Sequence, residues 1–182
     1  MPVVTLVHGD ITQLEIQAIV NSANTSLLGG GGVDGAIHAV GGSALTEECR
    51  TLGGCNKGEA KLTKGHGLPA QYVIHTIGPV FGHEDGREIE ILKQCYTNSL
   101  EVARTKGIRY IAFPAISTGG FHFPKEEACK IALETVGEYV EQHPNAFDEI
   151  VFVCYSELDF LIYKSVLETG NFSLDVALQA HK

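Results

Sequence analysis

Four consecutive glycines at residues 29–32 constrain this chain more than any other stretch of its sequence. Glycine loses more backbone entropy on folding than any other residue, so such a run needs a reason to be kept. Residues 18–20 before it indicate a buried strand, and the pattern from about Val33 indicates a helix. A loop that opens a helix presents free N–H groups and the positive end of the helix dipole, which suit phosphate. A flexible linker is the alternative, and the apolar segments on both sides argue against it.

Composition limits the classes of partner. A chain of 182 residues that is 44% hydrophobic and 19% charged has the composition of one globular domain. No segment approaches the roughly 18 apolar residues of a membrane span, and the amino terminus lacks a basic signal-peptide region, so no membrane contact and a cytoplasmic location are expected. The net charge of −9 argues against double-stranded nucleic acid, which proteins bind through Lys and Arg. Backbone dipoles must therefore hold any phosphate that binds.

The five cysteines are odd in number and include no CxxC pair. They are predicted to be reduced thiols, most of them packed as small hydrophobic side chains. The spacing of Cys49, Cys55 and His66 resembles no zinc signature. Neither a metal ion nor another cofactor is expected.

Strands and helices alternate along the chain, which predicts an α/β domain with a helix-covered, mostly parallel sheet. The predicted strands are residues 3–7, 18–21, 59–63, 72–76, 108–113 and 150–155. The predicted helices are residues 33–40, 44–51, 88–106, 125–141 and 158–167. Residues 1–170 are predicted to form a single domain, and residues 171–182 are interpreted as a frayed C-terminal tail.

Several loops follow predicted strands at the edge where parallel sheets bind ligands. The second glycine-containing loop, residues 113–124, leaves a strand, offers small residues with free N–H groups and enters a helix after Pro124. An ordinary βα turn is the alternative for either loop taken alone. Together, the two loops could hold a diphosphate from both sides.

Residues 30–35 match the formal GxGxxG pattern of dinucleotide-binding folds, but their context differs. That motif needs a tight turn directly after a strand, and here the predicted strand ends near Asn21. It also needs an acidic residue at the end of the next strand, whereas Glu59 begins one. A P-loop is excluded because no Gly-Lys-Ser/Thr follows the glycines.

Five motifs carry a resemblance to a known family. They are GDIT at residues 9–12, VNSAN at 20–24, GGGGVDGAIH at 29–38, HTIGP at 75–79 and PAISTG at 114–119. Residues 3–167, which contain them, resemble the macrodomain family and, within it, the MacroD-type branch. The resemblance implies a three-layer α/β/α macrodomain fold with a mixed, mostly parallel sheet of about six strands flanked by helices.

The MacroD-type branch implies a hydrolase. Its substrates would be proteins that carry mono-ADP-ribose on Asp or Glu esters, together with O-acetyl-ADP-ribose. The partners implied are ADP-ribose, mono-ADP-ribosylated proteins and O-acetyl-ADP-ribose, and a monomer is expected. A non-catalytic ADP-ribose reader remains the alternative.

Two residues are the implied catalytic pair. Asp34 would orient or activate the attacking water, and Asn24 would hydrogen-bond the distal ribose. Asp34 could instead be a first-turn helix residue stabilised by the helix dipole, but a carboxylate beside a diphosphate site opposes the charge of the ligand and favours a functional role. His38, one turn later, could support Asp34 or simply pack on the helix. His75 is predicted to be structural.

The remaining implied site residues bind the ligand. Asp10 would accept a hydrogen bond from the adenine amino group, and Tyr155 would pack on the adenine ring. A turn-forming Asp10 and a core Tyr155 are the alternatives. The full implied binding set is Asp10, Ile11, Asn21, Gly31, Gly32, Val33, Ser117, Thr118, Gly119, Gly120, Phe121 and Tyr155. For Asn21 the alternative is that it only braces the loop backbone.

The second loop departs from the branch pattern. The branch commonly has Gly-Val-Phe/Tyr-Gly-Tyr-Pro, whereas residues 119–124 read GGFHFP. Gly120 removes an apolar side chain, and His122 stands where a glycine could adopt positive φ. This departure affects the loop flexibility and the fit of the distal ribose.

Overall fold

The computed structural model describes residues 1–179. Within this range the strands are β1 (Val3–His8), β2 (Ala18–Ala23), β3 (Ala60–Lys64), β4 (Tyr72–Ile77), β5 (Tyr110–Phe113), β6 (Glu149–Cys154) and β7 (Val176–Gln179). The helices are α1 (Gly32–Thr51), α2 (Glu88–Lys106), α3 (Lys125–Gln142) and α4 (Glu157–Thr169), with a short 3₁₀ helix at Ile11–Gln13. None of the described helices is long and apolar enough to cross a membrane.

The strands form one sheet in the order β3-β4-β2-β5-β6-β1-β7. Every neighbouring pair is parallel except β3 with β4. The predicted mixed, mostly parallel sheet is therefore confirmed, with one strand more than the six predicted segments.

Two apolar cores cover the two faces of the sheet. Along β2, Ala18 and Val20 belong to one core and Ile19 to the other, because successive side chains of a strand point to opposite faces. The helices α2, α3 and α4 cover the first face, and α1 covers the second. This is the expected three-layer α/β/α arrangement. All five cysteines are buried and unpaired, as predicted.

Helix α1 consists of two segments that meet at Gly42. The backbone there has φ +80° and ψ −174°, which is not helical and which an L side chain rarely adopts. The sequence predicts the same division, with helices at residues 33–40 and 44–51.

The C-terminal segment differs from the expectation. Residues 176–179 are not a frayed tail: they form β7, which pairs in parallel with β1. Leu174, 7% exposed, joins the larger core just before this strand. The prediction was wrong because a four-residue edge strand leaves only a weak periodic signal. Residues 180–182 lie outside the described part.

The topology brings the loops that matter to one edge. Strands β2, β5, β6 and β1 are consecutive neighbours and run in the same direction, so their carboxyl ends lie side by side. The glycine-rich loop follows β2, and the second loop follows β5. Gly9 follows β1, and Tyr155 follows β6. The sequence predicts this meeting of loops.

The burial of Leu174 leads to a stability prediction. Leu174→Ala should lower the free energy of unfolding by about 2 kcal/mol, because it removes buried methyl groups and leaves a cavity. Leu178→Ala on β7 is the matched control, since that side chain is 46% exposed and its loss should change stability by less than about 0.5 kcal/mol. Urea denaturation measures both. Equal, small effects would show that the segment does not dock on the core.

Candidate functional site

A cavity of about 670 Å³ opens at the sheet edge where the loops meet. Its size is that of a small-molecule site. Every predicted site residue except Asn21 lines it. These are Asp10, Ile11, Asn24, Gly31, Gly32, Val33, Asp34, Ser117, Thr118, Gly119, Gly120, Phe121 and Tyr155.

The first loop delivers the N-terminus of α1 to the cavity. Gly31 is the N-cap residue and supplies no side-chain hydrogen bond to the first turn, so backbone N–H groups there are available to a ligand. A Cβ built on Gly31 or Gly32 meets no atom within 4 Å, and Gly32 has φ +58°. The glycines therefore leave the cavity wall bare and let the chain turn into the helix.

The second loop reaches a similar result without glycine at its strained positions. Ser117 and His122 have φ +64° and +59°, in the left-handed region that costs a non-glycine residue about 1 kcal/mol. The Phe123 N–H donates to the Ser117 carbonyl at 2.9 Å, and the Phe81 N–H donates to the Phe121 carbonyl at 2.8 Å. Positive φ at His122 agrees with the conformation expected from its position in the loop.

The charged side chains on the cavity wall do not favour an anion. Asp10, Asp34 and Asp159 line the cavity, and Lys125 is the one basic side chain among the described residues that line it. Lys125 is already paired with Asp159. A phosphate group in this cavity would therefore depend on main-chain N–H groups and the α1 dipole.

Asp34 is a buried carboxyl group at the start of α1. It is 4% exposed, and its Oδ1 accepts a 2.8 Å hydrogen bond from Asn21 Nδ2. Burial raises the pKa of the Asp34 carboxyl, while the Asn21 hydrogen bond and the nearby His38 partly offset that rise. A carboxyl group with a raised pKa at a cavity wall is a typical functional candidate.

Asn24 and Asp34 converge on the glycine loop. A Cβ placed on Gly30 would lie 3.0 Å from Asp34 Oδ2 and 3.3 Å from Asn24 Nδ2. Asn24 Nδ2 also donates to the Gly29 carbonyl at 2.6 Å, and its Oδ1 accepts from Ser26 at 2.6 Å. An amide has a second N–H and a second lone pair, so Asn24 can brace the loop and still bind a ligand.

Asn21 differs from the expectation that it contacts the ligand. It has 0% exposure and lies behind Asp34, outside the cavity wall. Its amide nitrogen donates to Asp34 and also lies 3.1 Å from His75 Nδ1. The reason is strand geometry: the Asn21 side chain points to the α1 face of the sheet, where Asp34 lies. Asn21 therefore hydrogen-bonds the Asp34 carboxyl group and does not line the cavity.

His38 lies beside Asp34 from the next turn of α1. Its Nε2 is 3.4 Å from Asp34 Oδ1 but has no hydrogen-bond partner among the described residues. Its Nδ1 is 3.1 Å from Thr46 Oγ1. Both sequence interpretations thus hold in part, because the ring packs on the helix and also lies near the carboxylate.

The adenine end proposed from the sequence has two distinct features. Asp10 Oδ1 accepts hydrogen bonds from the Thr12 N–H at 2.9 Å and the Thr12 hydroxyl at 2.7 Å, which is the turn-forming role. Its second oxygen makes neither of these bonds. Tyr155 is 80% exposed, so the alternative of a core tyrosine is wrong.

Sequence reasoning missed the ion pair between Lys125 and Asp159. Lys125 begins α3, and Asp159 lies in the first turn of α4, where its N–H donates to the capping Ser156 hydroxyl. The available signal was positional, since both residues directly follow loops at the ligand edge. The described residues contain no group of three or more His, Cys, Asp or Glu side chains placed to hold a metal ion.

Comparison with known proteins gives concordant results. ADP-ribose glycohydrolase MACROD2 from Xenopus laevis is 52% identical over 165 residues, covering 90% of this chain and 40% of that protein. A macro domain-containing protein from Chlorobaculum tepidum is 50% identical over 173 residues, covering 93% of this chain and 100% of that protein. The crystal structure of a Trypanosoma brucei macrodomain in complex with ADP-ribose has a TM-score of 0.85 at 44% identity, covering 90% of this chain and 68% of that one.

This chain thus spans 40% of the length of the MACROD2 relative. Residues 20–132 match the Macro domain family model. That match includes more than half of the chain, and a relative covered along its whole length is half identical. The protein therefore belongs to the Macro domain family.

Proposed function

We propose that this protein binds ADP-ribose and hydrolyses bonds at its distal ribose. The substrates would be mono-ADP-ribosyl esters of protein Asp and Glu, and O-acetyl-ADP-ribose. The observation that carries the proposal is the meeting, in one cavity, of two loops rich in N–H donors and the buried carboxyl group of Asp34. The diphosphate needs the former, and a hydrolytic reaction needs the latter.

The similar proteins support the same ligand. The Xenopus MACROD2 relative is named an ADP-ribose glycohydrolase, and the Trypanosoma structure holds ADP-ribose. The similarity covers most of this chain, including both loops. Because the MACROD2 relative extends well beyond the matched part, its activity is carried over here as part of the proposal.

The residues that line the cavity support one position for the ligand. The diphosphate lies between the first turn of α1 and residues 117–121, where main-chain N–H groups face it from two sides. The adenine lies toward Asp10 and the exposed ring of Tyr155. The distal ribose then lies toward Asn24 and Asp34, with Phe121 beside it.

Asp34 would act on the attacking water. Its Oδ1 is engaged by Asn21, whereas Oδ2 faces Gly30 and is the oxygen that can accept a proton from water. The water oxygen bonds to the C1″ carbon and gives one proton to Asp34, the bond between C1″ and the ester oxygen breaks, and the side chain of the modified protein leaves as a carboxylate. Asn24 holds the ribose in register for this attack.

Burial of the Asp34 carboxyl group lowers the stability of the folded protein, and a catalytic role would explain why an aspartate stands there. A buried carboxyl group with a raised pKa disfavours its charged form, so it reduces stability at neutral pH. Folding alone therefore gives no reason to prefer Asp to a neutral residue at this position. An ionised base next to a bound ester does give one.

The stability cost can be measured with Asp34→Asn, which keeps the acceptor for Asn21. Because the folded pKa of Asp34 is raised above 3.8, the folded state binds more protons than the unfolded state between these two values. The stability of the wild type relative to Asp34→Asn should therefore rise as pH falls through this window and be constant above it. Urea unfolding from pH 7 to pH 3.5 tests this, with mass spectrometry to exclude deamidation. A wild type whose relative stability falls as pH falls contradicts it.

The reaction is tested with a protein mono-ADP-ribosylated on glutamate. Wild type should release ADP-ribose, and Asp34→Ala should lower the rate by about 100-fold or more because the base is lost. Alanine is chosen because it cannot revert to aspartate. Thr135→Val, a buried change on α3, is the control and should keep the wild-type rate. If wild type binds ADP-ribose tightly but releases none, the chain is a reader and the proposed reaction is wrong.

The diphosphate position is tested with Gly32→Glu. A glutamate here projects from a wall that is open for at least 4 Å and places a negative charge beside the N–H donors, so ADP-ribose affinity should fall by about 100-fold or more. Gly86→Glu is the matched control, since Gly86 also has positive φ, at +82°, and open space but lies outside the cavity wall. Isothermal titration calorimetry measures both. Retained affinity in Gly32→Glu would place the anion elsewhere.

A further inference from the structure

We propose that His75 is a positioning residue for the hydrolysis, holding the Asn21 amide in the orientation that donates to Asp34. His75 is fully buried on β4 and lies outside the cavity wall, so it touches no ligand. It acts through one intermediate side chain on the carboxylate that handles the water. This inference rests on the proposed function and adds a residue to it.

Sheet register brings the two side chains together. Asn21 on β2 and His75 on β4 are paired positions of neighbouring parallel strands, and both side chains point to the face covered by α1. Asp34 lies on that helix. Asn21 connects the other two residues. Its Nδ2 donates to Asp34 Oδ1 at 2.8 Å and lies 3.1 Å from His75 Nδ1.

The chemistry of the amide decides its orientation. One amide nitrogen carries two hydrogens, and it faces an acceptor on each side. If the amide were turned over, its oxygen would face the Asp34 carboxylate at hydrogen-bond distance, which is repulsive unless Asp34 is protonated. The Asn21 oxygen meanwhile is buried without a partner among the described residues, so the orientation is held against a local cost.

His75 can fill this role because it is neutral and carries its proton on the far nitrogen. Burial lowers the pKa of His75 to about 3, with a smaller contribution from His38. Its Nε2 lies 2.9 Å from Thr63 Oγ1, an acceptor for the single ring proton, and 3.6 Å from Cys49 Sγ. The Nδ1 lone pair is then free to accept from Asn21.

Loss of the Nδ1 acceptor should change the ionisation of the Asp34 carboxyl group. The amide could then rotate away, and the donor that favours the ionised carboxylate would be weakened. The titratable groups that face Asp34 or His75 from their surroundings are His38 and Cys49, both on α1. Burial raises the pKa of Cys49 to about 11, so the thiol stays neutral in the range tested.

The first experiment uses the wild-type protein and needs no variant. Nitrogen-15 NMR of His75 between pH 5 and pH 8 should show a neutral ring with the proton on Nε2 and a bare Nδ1. A protonated Nδ1, or a charged ring, would overturn the inference directly, because the ring would then offer Asn21 a donor in place of an acceptor.

The second experiment compares His75→Leu with His75→Asn. Leucine removes the acceptor, whereas the asparagine side-chain oxygen occupies about the position of Nδ1 and restores it. In His75→Leu the Asp34 carboxyl, followed by carbon-13 NMR, should titrate at higher pH than in the wild type. The kcat of His75→Leu should fall roughly tenfold, whereas its KM should change by less than about twofold, because the groups that bind the substrate are untouched. His75→Asn should retain the wild-type titration and most of kcat.

Thr135→Val is the control for a buried polar change, and thermal melting checks that each variant is folded. If folded His75→Leu keeps the Asp34 titration and kcat, the inference is wrong. If both variants lose activity equally, the role is structural only and the inference is also wrong. Should His75→Leu not fold, the ring tautomer and the behaviour of His75→Asn decide.

The two proposals fail in different ways. A wild type that releases no ADP-ribose overturns the proposed function, and the His75 tautomer and the Asp34 titration still decide the coupling between these residues. Normal wild-type turnover with an unchanged His75→Leu variant overturns only the coupling.

Discussion

The proposed binding of ADP-ribose depends on main-chain N–H groups in an acidic protein. A net charge of −9, and one ion-paired lysine among the described residues of the cavity wall, leave backbone dipoles as the main means of holding the proposed diphosphate. The fold must orient these N–H groups toward one point, because in the unfolded chain they are bound to water. Neighbouring parallel strands achieve this orientation, since they end at one edge of the sheet and their loops extend into the same space.

In the proposed reaction, the same edge also holds a reactive carboxylate next to the anion. Asp34 lies in the first turn of the helix whose N-terminus would hold phosphate, so the dipole favours its charge while burial and a bound diphosphate oppose it. The buried hydrogen bond from Asn21 shifts this balance toward the ionised form. Polar residues inside an otherwise apolar core are costly, and their position behind Asp34 gives that cost a function.

Much of this could be predicted from the sequence, because strand patterns and glycine runs are local signals. The alternation of strands and helices, both ligand loops and the division of α1 at Gly42 were predictable. The location of Asn21 behind the wall was not, because it depends on which sheet face α1 covers. The Lys125–Asp159 pair joins residues from two helices and exists only after folding. The strand β7 is four residues long and gains its order from β1.

Both loops contain backbone at positive φ between a strand and a helix, but they stabilise that conformation by different physical means. The first has glycine where it turns into α1, at residues 29 and 32, so that turn carries no side-chain strain and its wall stays bare, although Leu27 earlier in this loop has φ +63°. The second places Ser117 and His122 at positive φ and holds that conformation with hydrogen bonds that the Phe123 and Phe81 N–H groups donate to loop carbonyls. Strain held by neighbouring contacts concentrates at functional sites. In the proposed site, the first loop also carries Asn24 and leads into Asp34, so it joins binding to chemistry, while the second contributes N–H donors and the opposite wall. A change in the second loop would therefore alter which ligands fit before it altered the reaction itself.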